Sequence, residues 1–510
     1  MPHTYIKRIL DARIYDLAVE TPLDHAKLMS KRLDNRVLLK REDLQPVFSF
    51  KIRGAYNRLL QLTPEERQRG VICASAGNHA QGLAYGAQHL GINATIVMPN
   101  TTPAIKVEAV RGYGGNVVLH GDVFDEAAAH ANQLMQEQGL IYIPPYDDPD
   151  VIAGQGTVAM ELLRQYPADI DAVFVPVGGG GLAAGMAAYI KYVRPGIKVY
   201  AVEPEDAACL AAAMQAGERV ILPEVGIFAD GVAVKQIGEE PFRVLADTID
   251  GVITANSDEI SAAIKDIFED TRSIAEPAGA LSLAGLKKFV QQNGARNQTL
   301  VAIDSGANIN FDRLRYISER TEIGEQREVV LAVTLPEKPG AYRTFCEDLG
   351  SRNITEFNYR YASDSAAHVF VGLQVAPNSN DRRELVQKLC DKGYQVLDLT
   401  ENEMAKAHIR HLVGGHIPVA TGDEELEERV FRFQFPERPG ALVKFLNHIA
   451  GRWNISLFHY RNHGSAFARI LVAMQVKPDE TQALYDYLDG LESYRYWDET
   501  ENPAYQLFLA

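Results

Sequence analysis

Cysteine is scarce in this 510-residue chain, with four residues at 73, 209, 346 and 390 and no C-x-x-C pair. That excludes a disulfide framework and fits reduced thiols in a cytoplasmic setting. Basic residues are short as well: 51 against 67 acidic ones leave a net charge of −16. The mean field repels polyanions, and no cluster of Lys and Arg is dense enough to mark a nucleic-acid partner. Long hydrophobic runs are missing too. Ala172 to Ile190 carries no charge, but Pro176 and four consecutive glycines interrupt it. A strand, a loop and a helix fit that stretch better than a membrane span. The N-terminus has neither the apolar core of a signal peptide nor the Ser/Arg enrichment of a transit peptide. A soluble, cytoplasmic protein without a membrane or nucleic-acid partner is expected.

What is present is the material of large cores. Apolar residues make up 46% and charged ones 23%, the balance of a folded chain with about three or four domains at roughly 100–200 residues each. Up to about residue 325, short β-branched runs alternate with Ala-rich helical ones. Gly70–Ala74, Ala94–Met98, Asn116–Leu119, Asp171–Val177, Lys198–Val202 and Thr299–Ile303 read as strands; Asn78–Leu90 and a stretch from Asp122 read as helices. Continuous apolar strands separated by helices predict a mainly parallel sheet covered on both faces. In such sheets ligands lie beyond the carboxyl ends of the strands, so the post-strand loops matter most.

Beyond residue 325 the texture changes and an internal repeat emerges. Val330–Gly340 returns as Val430–Gly440, 100 positions later, and Asn353–Arg360 returns as Asn454–Arg461. Each copy reads strand, Pro-Gly turn, helix, strand, strand, helix, strand, the ferredoxin-like α+β order. A tandem pair is more specific than either copy alone. The boundaries expected are 1–325 for the α/β region, 326–400 and 429–510 for the repeats, and 401–428 for a polar connector. His408, His411 and His416, in or near that connector, read as solvated linker residues.

Four segments carry the chemistry. Ser49-Phe50-Lys51-Ile52-Arg53-Gly54 offers a lysine that becomes a Schiff-base nucleophile if a pocket desolvates it; a solvated helix lysine would look the same. Ser75-Ala76-Gly77-Asn78-His79 follows a strand and opens a helix, where free N–H groups suit a carboxylate. Asn78 fits either a plain N-cap or a ligand donor, and His79 either a base or, as the favoured reading, a packed surface imidazole. Gly178-Gly179-Gly180-Gly181-Leu182, again strand to helix, allows successive amides to curl around a phosphate. It lacks the Lys-Ser/Thr ending of a P-loop. Gly178-x-Gly180-x-x-Ala183 also fits a dinucleotide fingerprint, with Glu203 as the ribose-binding acid. An NAD-dependent oxidoreductase is therefore the rival reading, and a catalytically inactive amino-acid sensor a third. Ser305-Gly306-Ala307-Asn308 ends the last strand, where a hydroxyl can meet a ring nitrogen.

Taken together, Ser49–Ala55, Ser75–Gly82, Gly178–Leu182 and Ser305–Asn308 resemble the pyridoxal-phosphate signature of threonine dehydratases, and Glu20-Thr-Pro-Leu23 resembles that family's opening segment. The tandem repeat resembles the paired ACT-like domains of its biosynthetic, isoleucine-regulated branch. The resemblance implies a fold-type II catalytic region and a homotetramer. It implies Lys51 as the covalent attachment point and catalytic residue, with Phe50 beside it. Gly178, Gly179, Gly180, Gly181 and Leu182 would hold the cofactor phosphate, Asn78 the ring hydroxyl and Ser305 the ring nitrogen. Ser75, Ala76, Gly77 and Asn78 would receive the substrate carboxylate. The activity implied is elimination of water from L-threonine, with L-serine as a further candidate, giving 2-oxobutanoate and ammonia. A neutral Ser305 at the ring nitrogen suits elimination, since it cannot stabilise a pyridinium as a carboxylate would. Racemases of this fold carry a serine where this chain has Ala76, which also favours elimination. Some relatives place a divalent ion near the position of Glu203, but Ala207 and Cys209 stand where further ligands would be needed, so no metal is expected. Isoleucine as inhibitor and valine as its antagonist are implied for the repeats, with Gly340, Asn353, Gly440 and Asn454 as candidate effector residues.

Overall fold

The computed structural model describes residues 3–311 and 313–324, and beyond them 327–336, 344–345, 348–349, 354–360, 366–376, 380–409, 427–436, 453–461, 467–491 and 494–508. Its contacts divide the chain between Thr321 and Glu322 into two compact units.

Two sheets build the first unit. The larger runs Leu23–His25, Arg36–Arg41, Thr299–Asp304, Ala172–Pro176, Lys198–Pro204 and Gly251–Ala255 from edge to edge. All its pairings are parallel except that of the first two strands. The smaller sheet, in the order Asn116–Leu119, Ala94–Met98, Val71–Ala74 and Ile141–Tyr142, is wholly parallel. Central strands such as Ala172–Pro176 are buried at every residue, as a sheet covered on both faces requires. The helices Gly181–Val193 and Pro149–Gln165 lie together on one core of the larger sheet, with Met186, Ala187 and Leu162 fully buried. Pro277–Asn293 and Ser257–Thr271 supply another core, through Leu281, Leu286 and Ile264.

The strands expected from the sequence are present within a residue or two, and the helix Asn78–Leu90 is as anticipated. The helix expected from Asp122 begins at Phe124. Arg36–Arg41 was missed because it reads as charged. Its Lys40 is fully buried, with Nζ 2.6 Å from Glu161 Oε2, so partners distant in sequence make a charged segment a central strand.

The second unit holds two four-stranded antiparallel sheets of one topology. The first runs Ile354–Arg360, Ala366–Gln374, Glu328–Pro336, Gln395–Asp398; the second runs Asn454–Arg461, Phe467–Val476, Glu427–Pro436, Arg495–Asp498. This is the ferredoxin-like order. Each repeat has its own core, closed by Leu385 and Leu389 in the first and by Leu484 and Leu488 in the second. A further core is common to both and joins Val330, Ala332 and Phe370 to Val430, Leu471 and Ala473. Met404, Ala405 and Ile409 enter it from one repeat, Ala504, Tyr505 and Phe508 from the other. Glu403–Ala407 is helical, inside the stretch read as connector. His408 is fully buried, which corrects its reading as a solvated linker residue; His411 and His416 lie outside the described residues. Among the described residues no helix is long and apolar enough to cross a membrane.

Candidate active site

Lys51 is the first residue of the helix Lys51–Leu60. Its Nζ donates to the Pro145 carbonyl at 2.8 Å and lies 5.3 Å from the centre of the Phe50 ring. Burial pushes the amine down from 10.5 to about 8, against the opposing pull of the Glu276 carboxylate. A lysine so placed keeps a sizeable neutral fraction near neutral pH, as a nucleophilic amine needs. Two residues on, Arg53 is fully buried between Glu42 (Nε–Oε2, 2.7 Å) and Glu161 (Nη1–Oε1, 2.5 Å). That grip anchors the first turn of the helix.

The four segments meet through short contacts. A Cβ on Gly82 would stand 3.0 Å from Ile52 N and 3.1 Å from Lys51 C, so the Asn78–Leu90 helix packs directly on the lysine's backbone. Phe50 N donates to Ser305 O at 3.2 Å and Ala307 N to Phe48 O at 2.9 Å, tying the lysine segment to the end of the last strand. Tyr146, next to the Pro145 carbonyl that holds Lys51, packs on the glycine loop: a Cβ on Gly179 would meet its ring at 2.2 Å, and one on Gly181 its backbone at 2.9 Å.

The glycine loop joins Ala172–Pro176 to the helix Gly181–Val193, and residues 178 to 182 are all buried. Gly180 caps the helix with φ +90°, a conformation that favours glycine. First-turn amides have no acceptor within a helix. Together with the dipole behind them, they fit a phosphate. Across from it, Ser75 to Asn78 are half-buried between fully buried neighbours, and a Cβ on Gly77 would meet nothing within 4 Å. That open space beside a helix N-terminus suits a carboxylate.

Gly77, not Asn78, is the N-cap. The Asn78 amide instead donates through Nδ2 to Glu276 Oε1 at 2.5 Å and accepts at Oδ1 from Asn308 Nδ2 at 2.7 Å. His79 is buried rather than on the surface, its Nε2 2.8 Å from the Ile143 carbonyl. Burial and the charge of Lys51 push its imidazole down to about 3, so it stays neutral and braces the helix. Ser305 is buried, with Oγ donating to Ala278 O at 3.2 Å, a contact long enough to be exchanged for a ring nitrogen.

Glu276 was not anticipated. It is 4% exposed, and burial followed by the charge of Asp230 raises its carboxyl to about 7. Glu-Pro-Ala-Gly reads as an ordinary helix start; the signal available was an acidic N-cap preceding Pro277, and its side chain makes no cap hydrogen bond. Burial opposes the charge on Asp230, but Lys106 at 2.7 Å and Arg313 at 3.1 Å outweigh it and hold that carboxylate well below the usual range.

Glu203 does not await a ribose. Its two oxygens accept from Leu210 N at 2.7 Å and Ala211 N at 2.8 Å, at the start of the helix Cys209–Ala216. That occupies the acid on which the dinucleotide reading rested. Among the described residues no group of acidic, His or Cys side chains is arranged to hold a metal ion. Gly340, Asn353 and Gly440 lie outside the described residues, and Asn454 opens the strand Asn454–Arg461.

The family model described as pyridoxal-phosphate dependent enzyme matches residues 14–306. The model described as the C-terminal regulatory domain of threonine dehydratase matches residues 319–409 and 422–509. The biosynthetic L-threonine dehydratase of Burkholderia multivorans is 53% identical over all of this chain and 99% of its own length. That of Escherichia coli K12 is 53% identical over 99% of this chain and 97% of its own. Among solved structures, the processed form of threonine deaminase isoform 2 from Solanum lycopersicum superposes with a TM-score of 0.62 at 49% identity, covering 62% of this chain and 93% of that one.

Proposed function

The chain belongs to the pyridoxal-phosphate-dependent threonine dehydratases, and from that premise we propose how its own residues divide the work. The enzyme deaminates L-threonine to 2-oxobutanoate and ammonia, the step that commits threonine to isoleucine synthesis. The observation that carries the assignment of roles is Lys51, whose amine burial depresses to about 8 at the meeting point of the glycine loop, the Ser75–Asn78 loop and Ser305.

The residues present fit the cofactor. Gly178 to Leu182 would hold its phosphate, Asn78 its ring oxygen and Ser305 its ring nitrogen, with Lys51 as the attachment point and Phe50 beside it. When bound, pyridoxal phosphate supplies an electron sink that acidifies the substrate Cα–H. The protein's share is placement and proton handling. Ser75, Ala76, Gly77 and Asn78 receive the threonine carboxylate at the helix N-terminus and fix the amino acid's orientation. Lys51 would hold the cofactor covalently and, with its amine free, would take the Cα proton at Nζ. A hydroxyl rather than a carboxylate at position 305 would leave the cofactor's ring nitrogen without an anionic partner, a setting that suits elimination over transamination. Ala76 offers no base on the opposite face, which disfavours racemisation. These assignments, and the limits 1–325, 326–400 and 429–510 for the three domains, are our reading of the residues.

For the regulatory region we propose isoleucine as inhibitor and valine as its antagonist, acting near Gly340, Asn353, Gly440 and Asn454, in a homotetramer. Coupling of about 1–3 kcal/mol suffices for such control.

The test is 2-oxobutanoate release from threonine with and without isoleucine, run beside Lys51→Ala. The wild type is expected to be yellow and active. The variant should be colourless, with activity down by several orders of magnitude. Borohydride reduction and peptide mapping that leave Lys51 unmodified in the wild type would overturn the assignment of that lysine.

A further inference from the structure

The orientation of the Asn78 amide is dictated by a chain of contacts that begins at a backbone carbonyl. Val47 O can only accept, and it takes Asn308 Nδ2 at 2.8 Å. The same nitrogen has a second hydrogen, which it gives to Asn78 Oδ1 at 2.7 Å. Asn78 must therefore turn its Nδ2 the other way, where Glu276 Oε1 accepts at 2.5 Å. One N–H of Asn78 remains after these bonds are counted, and its oxygen is already engaged. Toward any ligand atom this side chain acts as a donor.

Glu276 is built into the site from several sides. Its own N donates to Gly306 O at 3.0 Å, and Ser305 N donates to Gly279 O at 3.3 Å, so the helix start and the end of the last strand interlock. Gly306 makes room for the carboxyl: a Cβ there would stand 2.8 Å from Oε1. We infer that Glu276 is a positioning residue of the active site: it anchors the Asn78 amide, which Asn308 orients, so that the remaining N–H is held toward the cofactor's ring oxygen, and it holds or releases one proton near Lys51.

This deepens the cofactor reading above and rests on it. A donor favours the anionic form of a ring oxygen, whereas a carboxylate behind that donor opposes it, so the proton on Glu276 couples to the charge carried by the ring. The charged groups acting on Glu276 come from several elements. Lys51 is coupled to it electrostatically, Asp230 opposes its ionisation, and Lys106 and Arg313 favour it. Asp304, buried before Ser305, interacts with it as well. With an apparent midpoint of about 7, the proton is exchanged in the range where such an enzyme works.

Glu276→Gln retains an oxygen that can accept from Asn78 but cannot ionise. In substrate-free protein carrying cofactor, the absorbance band of the wild type should titrate with a limb near pH 7 that the variant lacks. In apo protein at pH 7, an amine-selective reagent mapped to Lys51 should react several-fold faster in the variant, because the carboxylate that favours the ammonium is gone. Asn308→Ala is the second variant: it frees the Asn78 oxygen and leaves the carboxyl in place. It should release cofactor faster while keeping the limb near pH 7. Identical titration and labelling in Glu276→Gln and the wild type would overturn the inference. If Glu276→Gln does not fold, Glu276→Asp, whose shorter carboxyl cannot reach Asn78, takes its place, and cofactor release and a titration identical to the wild type in that variant overturn the inference. A wild-type protein that takes up no cofactor at Lys51 would instead sink the parent reading, so the two failures are distinguishable.

Discussion

Two sets of buried charges flank Lys51, and they are built on opposite plans. Around Arg53, every charge is answered. Glu161 accepts from Arg53 through both oxygens (2.5 and 2.9 Å), from Lys40 (2.6 Å) and from the Tyr15 hydroxyl (2.8 Å). Glu42 takes Arg53 and the Thr21 hydroxyl, the latter at 2.6 Å. Around Glu276 the accounts stay open. Among the described residues its hydrogen-bond partner is a neutral amide, and burial raises its carboxyl to about 7. Asp304, behind Ser305, is buried with Arg41 Nε no nearer than 3.6 Å from Oδ2 and with Asp43 as an acidic neighbour. Burial and the neighbouring Asp43 raise its carboxyl well above the ordinary range. A closed network holds geometry, because every group loses a partner if it moves. An open one keeps a proton exchangeable. Lys51 sits where a rigid cluster and a titratable one meet.

The largest effect that would break this contrast belongs to the closed set. Arg53→Met removes the cation common to Glu42 and Glu161 and leaves Lys40 alone to answer two buried carboxylates. Removing one partner of a buried ion cluster typically costs about 3–5 kcal/mol. Denaturant unfolding of the apo protein should show a loss of that size. Glu276→Gln, by comparison, should hold or raise stability at pH 7, because it removes a poorly solvated carboxylate. An Arg53→Met protein as stable as the wild type would mean that the closed cluster contributes nothing net, and the contrast would fail.

A second prediction separates the sets by pH. The Glu276 carboxyl is raised from 4.5 to about 7 in the folded protein. Between these values the folded state binds more protons than the unfolded one, so stability falls as pH rises. The span corresponds to roughly 3 kcal/mol, fully present below pH 4.5 and fully lost above pH 7. Lys51, lowered from 10.5 to about 8, acts in the opposite sense at higher pH: the folded state binds fewer protons, and stability rises between those values. Together these two groups give a trough near pH 7 to 8, made shallower on its acid side by the depressed imidazole of His79, whose own contribution rises up to pH 6.5. In Glu276→Gln its acid side should flatten, while the rise above pH 8 remains. An unchanged acid side in that variant would show that other carboxyls produce the slope.

Much of this arrangement was legible in the chain itself. Gly178 to Leu182 stood out because an apolar strand and an Ala-rich helix abut it, which leaves a phosphate loop as the economical reading. Lys51, Asn78 and Ser305 were legible only as an ordered set, since each alone matches a surface lysine, a cap or a turn. What stayed hidden depends on partners far along the chain. Lys40 is made apolar in effect by Glu161, 121 residues away, and Glu276 acquires its role through Asn78, 198 residues away. Local patterns do not carry such pairs. The short helices after the fourth strand of each repeat escaped for a related reason: their apolar residues serve a core common to both copies, which neither copy specifies alone.

The smallest expected effect tests how alike those copies are. Thr400 Oγ1 accepts from Val330 N at 3.1 Å, and Thr500 Oγ1 accepts from Val430 N at 3.1 Å. Leu399 N and Glu499 N close the same corner on Val330 O and Val430 O, each at 2.8 Å. Both corners feed the core held in common, and both threonines are buried. Replacing either by valine keeps the shape and leaves a buried backbone N–H without its acceptor, a loss of about 1–3 kcal/mol. Because the two corners enter one core, the repeats should unfold together, and Thr400→Val and Thr500→Val should lower the same calorimetric transition by similar amounts. Two separate transitions, each sensitive to only one substitution, would show that the copies are independent domains, and the likeness of the corners would then be a matter of ancestry without energetic consequence.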